Sequence, residues 1–193
     1  MDIYLASGSQ RRIDMLEKAG LKFKIVPADI DESEMVGETA EKYVLRMALK
    51  KAEKVFSSVA ANSPLALVLG ADTIVEIDSK IMGKPAGQKE AKEMLKTLSG
   101  QVHVVFTGFA VKTHKAVKSG LVRTQVRFRV LSDNEIDAYV DTGEAEERAG
   151  AYAIQGDYGA ILVERVDGSY SNVIGLPLKE ALDLINKMSW DQE

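Results

Sequence analysis

The run LALVLGADTIVEI, Leu65 to Ile77, sets the firmest limit on what this chain can fold into. A short, nearly continuous apolar stretch reads as a strand buried on both faces, and such strands belong to sheets covered by helices. Gly70 and Asp72 interrupt it. Asp72 closes the apolar part, and buried carboxylates are rare unless paired or metal-bound. Open α/β sheets gather their ligands at strand C-termini. Asp72 is therefore a candidate for a metal or base role, weighed against a structural turn aspartate.

The rest of the chain alternates strand and helix signals. Ile3–Ala6 reads as a buried strand, and after the turn Ser7-Gly8-Ser9 the residues Ile13, Leu16 and Ala19 recur at helical spacing until Gly20. FKIVPA (Phe23–Ala28) is a second strand candidate and leads to the acidic, turn-like DIDESE (Asp29–Glu34). A helix is expected from about Ala40 to Ser57, capped by Thr39, with Val44, Leu45, Ala48, Leu49, Ala52, Val55 and Phe56 as its apolar stripe. Another is expected from Gln88 to Leu98, stopped by Gly100.

QVHVVFTGFAVKT and GLVRTQVRFRVL pattern as a hairpin, the second alternating Val126, Phe128 and Val130 with Arg127 and Arg129. Ser132 and Glu135 form a capping box, opening a helix that ends near Gly143. AILVERV reads as a further strand, followed by a turn at Asp167-Gly168 and a last helix started by Pro177. No repeat or long linker divides the chain. The expectation is one mixed α/β domain over residues 1–193, possessing two lobes at most.

Composition removes several function classes. The chain has no cysteine, so disulfides, thiol nucleophiles and cysteine-ligated zinc are excluded. Its histidines, His103 and His114, fall in what read as strand and turn, which speaks against histidine catalysis. A net charge of −4 argues against a general nucleic-acid binder, so any anion site must be local. No apolar run approaches the ~20 residues of a membrane span, and MDIYLASGS lacks the pattern of a signal peptide. No membrane partner and a cytoplasmic location are expected.

LASGSQRR, Leu5 to Arg12, is where such a local site is expected. Ser9 as N-cap places Arg11 and Arg12 in the first helical turn, where the macrodipole is positive and acids are usual. The pair makes sense if a multivalent anion binds there through backbone N–H groups, serine hydroxyls and guanidinium forks. Arginines pointing into water are the alternative. Lys51 falls beside Val44, Ala48 and Val55 on the edge of the buried stripe, whereas Lys50 points away; a snorkelling lysine explains it as well. Lys84, in GKP, reads alone as a surface-turn lysine. Glu32 of the acidic segment would join Asp72 in offering hard oxygen ligands suited to Mg²⁺, or would be a solvated loop acid. Gln155, in AIQG, carries an amide donor and acceptor matched to the edge of uracil or thymine, or caps a loop.

Together, LASGSQRR, LGADTIV, GKP, LSG, AGAYAIQG and GSYSNVIGLPL, in this order, closely resemble the Maf family of nucleoside triphosphate pyrophosphatases, from Ile3 to about Lys187. The resemblance implies an elongated α/β fold with a mixed, twisted sheet and a cleft between two lobes, similar to inosine triphosphate pyrophosphatases and commonly dimeric. It implies metal-dependent hydrolysis between the α and β phosphates, with Mg²⁺ foremost and Mn²⁺ or Co²⁺ as alternatives. By motif, Ser7, Arg11, Arg12, Lys51 and Lys84 would line the phosphate site. Glu32 would assist with metal, and Asp72 would accept a proton or hold the metal. Arg12, Thr73 and Gln155 look like the branch that prefers dTTP and UTP. The other readings kept are a 7-methyl-GTP pyrophosphatase and a non-catalytic regulator of septum formation.

Overall fold

The computed structural model describes residues 1–190. It contains strands β1 (Asp2–Leu5), β2 (Lys24–Ile25), β3 (Ala66–Ile77), β4 (Lys80–Met82), β5 (Val102–Lys112), β6 (Val117–Phe128) and β7 (Val163–Asp167). These form a seven-stranded sheet of order β2-β1-β3-β5-β6-β7, with β4 paired to β3. β1 runs parallel to both β2 and β3, while the β3–β4 and β6–β7 pairs are antiparallel. The sheet is thus mixed, as the alternating pattern predicts. Its helices are α1 (Gln10–Lys18), α2 (Ala40–Val59), α3 (Gln88–Leu98), α4 (Asp133–Val140), α5 (Gly156–Leu162), α6 (Tyr170–Ile174) and α7 (Leu178–Trp190). No helix among the described residues is long and apolar enough to cross a membrane.

The chain divides into two compact units, one of Met1–Asp72, Thr107–Val122 and the chain from Gly175 on, the other of Thr73–Phe106 and Arg123–Ile174. The first unit is organised around α2. Thr39 caps it, its hydroxyl accepting from the Lys42 N–H, and the buried stripe runs through Tyr43, Val44, Met47, Ala48, Lys51, Ala52, Val55 and Phe56. Leu45 and Leu49 are only half-buried, because the stripe is rotated toward Tyr43 and Met47. The helix lies directly on strand backbone: a Cβ at Gly70 would stand 2.3 Å from the Ala48 carbonyl oxygen, and one at Gly108 would stand 2.5 Å from that of Val44. Glycine in these strands is the condition for that approach. Tyr4, Ala6, Ala66, Val68 and Ala110 complete this core.

α1 ends in a Schellman motif. Gly20, at φ +77°, donates to Glu17, and Leu21 donates to Leu16. FKIVPA pairs over Lys24–Ile25 only, where it lies beside β1.

In the second unit, α3 and α4 cover a core that includes Leu95, Leu98, Phe128, Ile136, Tyr139 and Tyr152. The capping box at Ser132 and Glu135 is present with both reciprocal bonds. Two expectations fail here. The apolar start of AILVERV is the end of α5, and β7 begins at Val163; short apolar runs do not distinguish helix from strand by periodicity. Val130 is 81% exposed rather than part of the buried alternation, since β6 ends at Phe128.

Candidate active site

β1 delivers the chain to LASGSQRR in a fixed register. Leu5 pairs with Leu69 of β3, and the Ala6 N–H donates to the Leu69 oxygen at 2.8 Å. Beyond this point the chain leaves the sheet through Ser7-Gly8-Ser9 and enters α1. Ser9 occupies the N-cap position in an extended conformation but makes no side-chain capping bond. Ser7 takes up part of that work: its hydroxyl oxygen accepts from the Ser9 N–H at 3.2 Å and from Arg12 Nη1 at 3.1 Å. Used twice as an acceptor, the buried Ser7 hydroxyl keeps its own proton to donate.

Arg11 is half-buried, and Arg12 is 9% exposed. Arg12 Nε donates to the Gly175 carbonyl at 2.8 Å. Arg12 therefore does not point into water, and it ties the first turn of α1 to the start of the last segment of this unit. Burial pulls the Arg12 guanidinium below its ordinary value, and the charges of Asp72 and Glu32 act against that pull. A guanidinium stays charged under such conditions.

Asp72 differs from the sequence reading in one respect. It does not close its strand: β3 continues to Ile77, and Asp72 sits within it. What makes a carboxylate tolerable there is α2. Lys51 Nζ lies 2.6 Å from Asp72 Oδ1 and 2.6 Å from Glu32 Oε1. Lys51 and Asp72 are each 8% exposed, whereas the Glu32 side chain is about half exposed. A lysine on the buried stripe thus serves as the shared counter-ion of two acids, and snorkelling does not describe it.

Two residues absent from the sequence reading belong to this arrangement. The Tyr43 hydroxyl donates to the Glu32 carbonyl oxygen at 2.8 Å. The Arg46 guanidinium grips both carboxylate oxygens of Glu38 and donates to the Ser33 carbonyl at 3.0 Å. Burial, then Asp72 and Glu32, push the Tyr43 phenol up to about 12. A signal for Tyr43 did exist: it lies eight residues before Lys51 on the same stripe, and a buried tyrosine hydroxyl seeks a partner. Nothing local marks Arg46.

Thr73, Lys84 and Gln155 lie in the second unit. Thr73 follows Asp72 in β3 and is half-buried. Lys84 is a surface residue whose Nζ pairs with Glu147 Oε2 at 2.7 Å. Gln155 is exposed and occupies the N-cap position of α5, without a capping bond; a 3₁₀ turn at Ala149–Ala151 precedes it rather than a strand. His103 is buried in β5, with Nε2 2.8 Å from the Tyr152 hydroxyl, and His114 lies in the turn after β5 with its ring against Phe56. Among the described residues, neither histidine forms a hydrogen bond or ion pair with Asp72 or Glu32.

Comparison with known proteins shows the family to which the chain is similar. Residues 2–188 match the model of the Maf family, described as Maf-like protein. A protein of Geotalea uraniireducens named dTTP/UTP pyrophosphatase is 48% identical over 97% of this chain and 95% of its own length. Proteins of the same name from Hydrogenovibrio crunogenus, at 42% over 99% and 98%, and from Methylobacillus flagellatus, at 47% over 95% and 90%, are similar along the whole chain. A crystal structure of a nucleoside-triphosphatase, dITP/XTP pyrophosphatase, from Mycobacterium abscessus aligns with 66% of this chain and 74% of its own at TM-score 0.42 and 14% identity, too distant to bear on the fold or the site.

Proposed function

The chain belongs to the Maf family, and on that premise we propose that it hydrolyses dTTP and UTP between the α and β phosphates, releasing nucleoside monophosphate and pyrophosphate. The observation that carries the chemistry is the convergence of Glu32 and Asp72 on one buried ammonium. The pyrimidine substrates follow from the relatives, which are named dTTP/UTP pyrophosphatases. That naming favours this reading over 7-methyl-GTP hydrolysis or a purely regulatory role. Modified pyrimidine triphosphates belong to the same substrate class.

The donor set fits a divalent cation. Glu32 Oε1 and Asp72 Oδ1 both pair with Lys51 Nζ, so a divalent cation would be held by these carboxylates beside the ammonium, and Mg²⁺ is usually held by one or two carboxylates together with substrate phosphates. Among the described residues no group of three or more histidines or acids is arranged to hold a metal ion. When bound there, Mg²⁺, with Mn²⁺ or Co²⁺ as alternatives, supplies charge neutralisation for the departing phosphate.

The chain's own groups perform the rest. The Ser7 hydroxyl, Arg11 and Arg12, at the positive end of α1, hold phosphate oxygens. Lys51 stabilises the negative charge that develops on the leaving pyrophosphate. A water oxygen bonds to the α phosphorus, the bond from that phosphorus to the bridging oxygen breaks, and the electron pair leaves with pyrophosphate. The water's proton passes to Asp72 if Asp72 is the base; otherwise Asp72 holds the metal and the proton leaves to solvent. Lys84 carries phosphate neutralisation, and Thr73 and Gln155 carry base recognition, as further parts of the same reading. A homodimer in the cytoplasm, without nucleic-acid partners, completes the proposal.

Product analysis on dTTP, UTP, CTP, GTP and 7-methyl-GTP, with Mg²⁺ and with chelator, tests it. Metal-dependent release of dTMP or UMP with pyrophosphate, lost in Asp72→Asn, is expected. Orthophosphate as the first product, or full turnover by folded Asp72→Asn, would overturn it. The pH dependence of Asp72→Glu separates the two roles of Asp72: a base shifts the acid limb of the profile, whereas a metal holder shifts the metal requirement.

A further inference from the structure

Glu32 sits in a segment without helix or strand of its own. Residues 29–38 form neither helix nor strand, and positions 31–37 are all exposed. Asp29, Asp31, Glu32, Glu34 and Glu38 crowd negative charge into it. Its internal bonds are local, between Ser33 and Asp31 and between Glu38 and Met35. Among the described residues, its recorded hydrogen bonds and ion pairs to the rest of the chain come from three side chains of α2: Tyr43, Arg46 and Lys51.

These three lie within just over two turns of α2, which is itself fixed by glycine-mediated contact with β3 and β5. Each holds a different part of the segment. Arg46 clamps Glu38 at its end and the Ser33 carbonyl near its middle, Tyr43 holds the Glu32 backbone, and Lys51 receives the Glu32 carboxylate. A carboxylate that is half exposed gains a defined position only if its main chain is held.

We infer that Tyr43 and Arg46 are positioning residues for Glu32, fixing the backbone on which its carboxylate is brought to Lys51 and Asp72. The inference rests on the role given to Glu32 above. Outer partners that orient a metal-binding carboxylate characteristically affect metal affinity or activity by ~10-fold or more.

The test is a set of double-mutant cycles. Tyr43→Phe and Arg46→Met are made in the wild-type and Glu32→Gln backgrounds, with Arg46→Lys as the conservative variant; dTTP turnover is followed against Mg²⁺ concentration, and Mn²⁺ binding in the absence of turnover is titrated by calorimetry, where the same pattern of losses is expected. In the wild-type background each change is expected to lower kcat and raise the Mg²⁺ concentration for half-activation by about ten-fold, with KM for dTTP little changed. In the Glu32→Gln background the same changes have no further effect, and Arg46→Lys recovers part of the loss. Equal losses in both backgrounds would show that the residues act on the fold rather than on Glu32 and would overturn the inference. So would wild-type kinetics in both single variants while Glu32→Gln is impaired. Unimpaired Glu32→Gln would instead overturn the role of Glu32 itself, and the inference with it.

Discussion

Lys51 Nζ stands 2.6 Å from Asp72 Oδ1, joining a helix to a strand beside an apolar core. Their side chains retain only 10% and 12% of full exposure. Two charges removed from water repay their desolvation only while both are present, so the pair is far more costly to halve than to remove.

Lys51→Met should therefore destabilise the protein by about 3 kcal/mol, because it leaves the buried Asp72 without the ammonium that hydrogen-bonds it. Glu32 cannot compensate, being an acid itself. The double variant Lys51→Met/Asp72→Leu should recover most of that loss, while both variants lack dTTP hydrolysis. Urea denaturation measures the first effect and product analysis the second. A double variant no more stable than the single one would show that the pair is not the source of the loss.

Gly70→Ala should cost at least ~2 kcal/mol, since its methyl group would stand 2.3 Å from the Ala48 carbonyl oxygen and 2.7 Å from the Ala52 nitrogen. Neither atom can yield, for both are backbone. Displacing α2 from β3 also moves Lys51 relative to Asp72, so turnover should fall more than the folded fraction does. A thermal melt and a turnover assay on the same sample compare the two. Gly20→Ala offers a contrast: nothing lies within 4 Å of the added methyl, and only the strain of φ +77° remains.

His103 sets a pH dependence of stability remote from any catalytic role. Burial pushes its imidazole down to about 4, against an ordinary value near 6.5. The folded state resists the proton that the unfolded chain accepts. The stability this contributes is complete above about pH 6.5 and is lost progressively as pH falls toward 4, to a total of about 3 kcal/mol. Wild type and His103→Gln, compared by urea denaturation from pH 7 to pH 4.5, should converge in stability as pH falls. Parallel curves would show that His103 titrates normally in the fold.

Much of this architecture was legible in the amino-acid order. The boundaries of α3, the Thr39 and Ser132 caps, the buried strand through Leu65–Ile77 and the mixed α/β class all follow from local periodicity and capping chemistry. These are properties of residues within one or two turns of one another, and neighbours in sequence decide them. The fold misreadings occurred where that local information is ambiguous. AILVERV splits between α5 and β7, and Val130 falls beyond the end of β6.

The sequence also determined which residues are chemically out of place: a carboxylate in an apolar strand, a lysine on a buried helix face, two arginines in a positive helix terminus. It could not determine how they are satisfied. Lys51 and Asp72 are 21 residues apart, and Arg12 reaches the carbonyl of Gly175 at a separation of 163. Periodicity tells which face of an element is buried, but not what another element places against that face. Tyr43 and Arg46 belong to the same class, since the segment they hold has no period of its own. Only tertiary structure decided these pairings, because a buried charge is stabilised by whichever partner packing brings within reach, and packing is a property of the whole core.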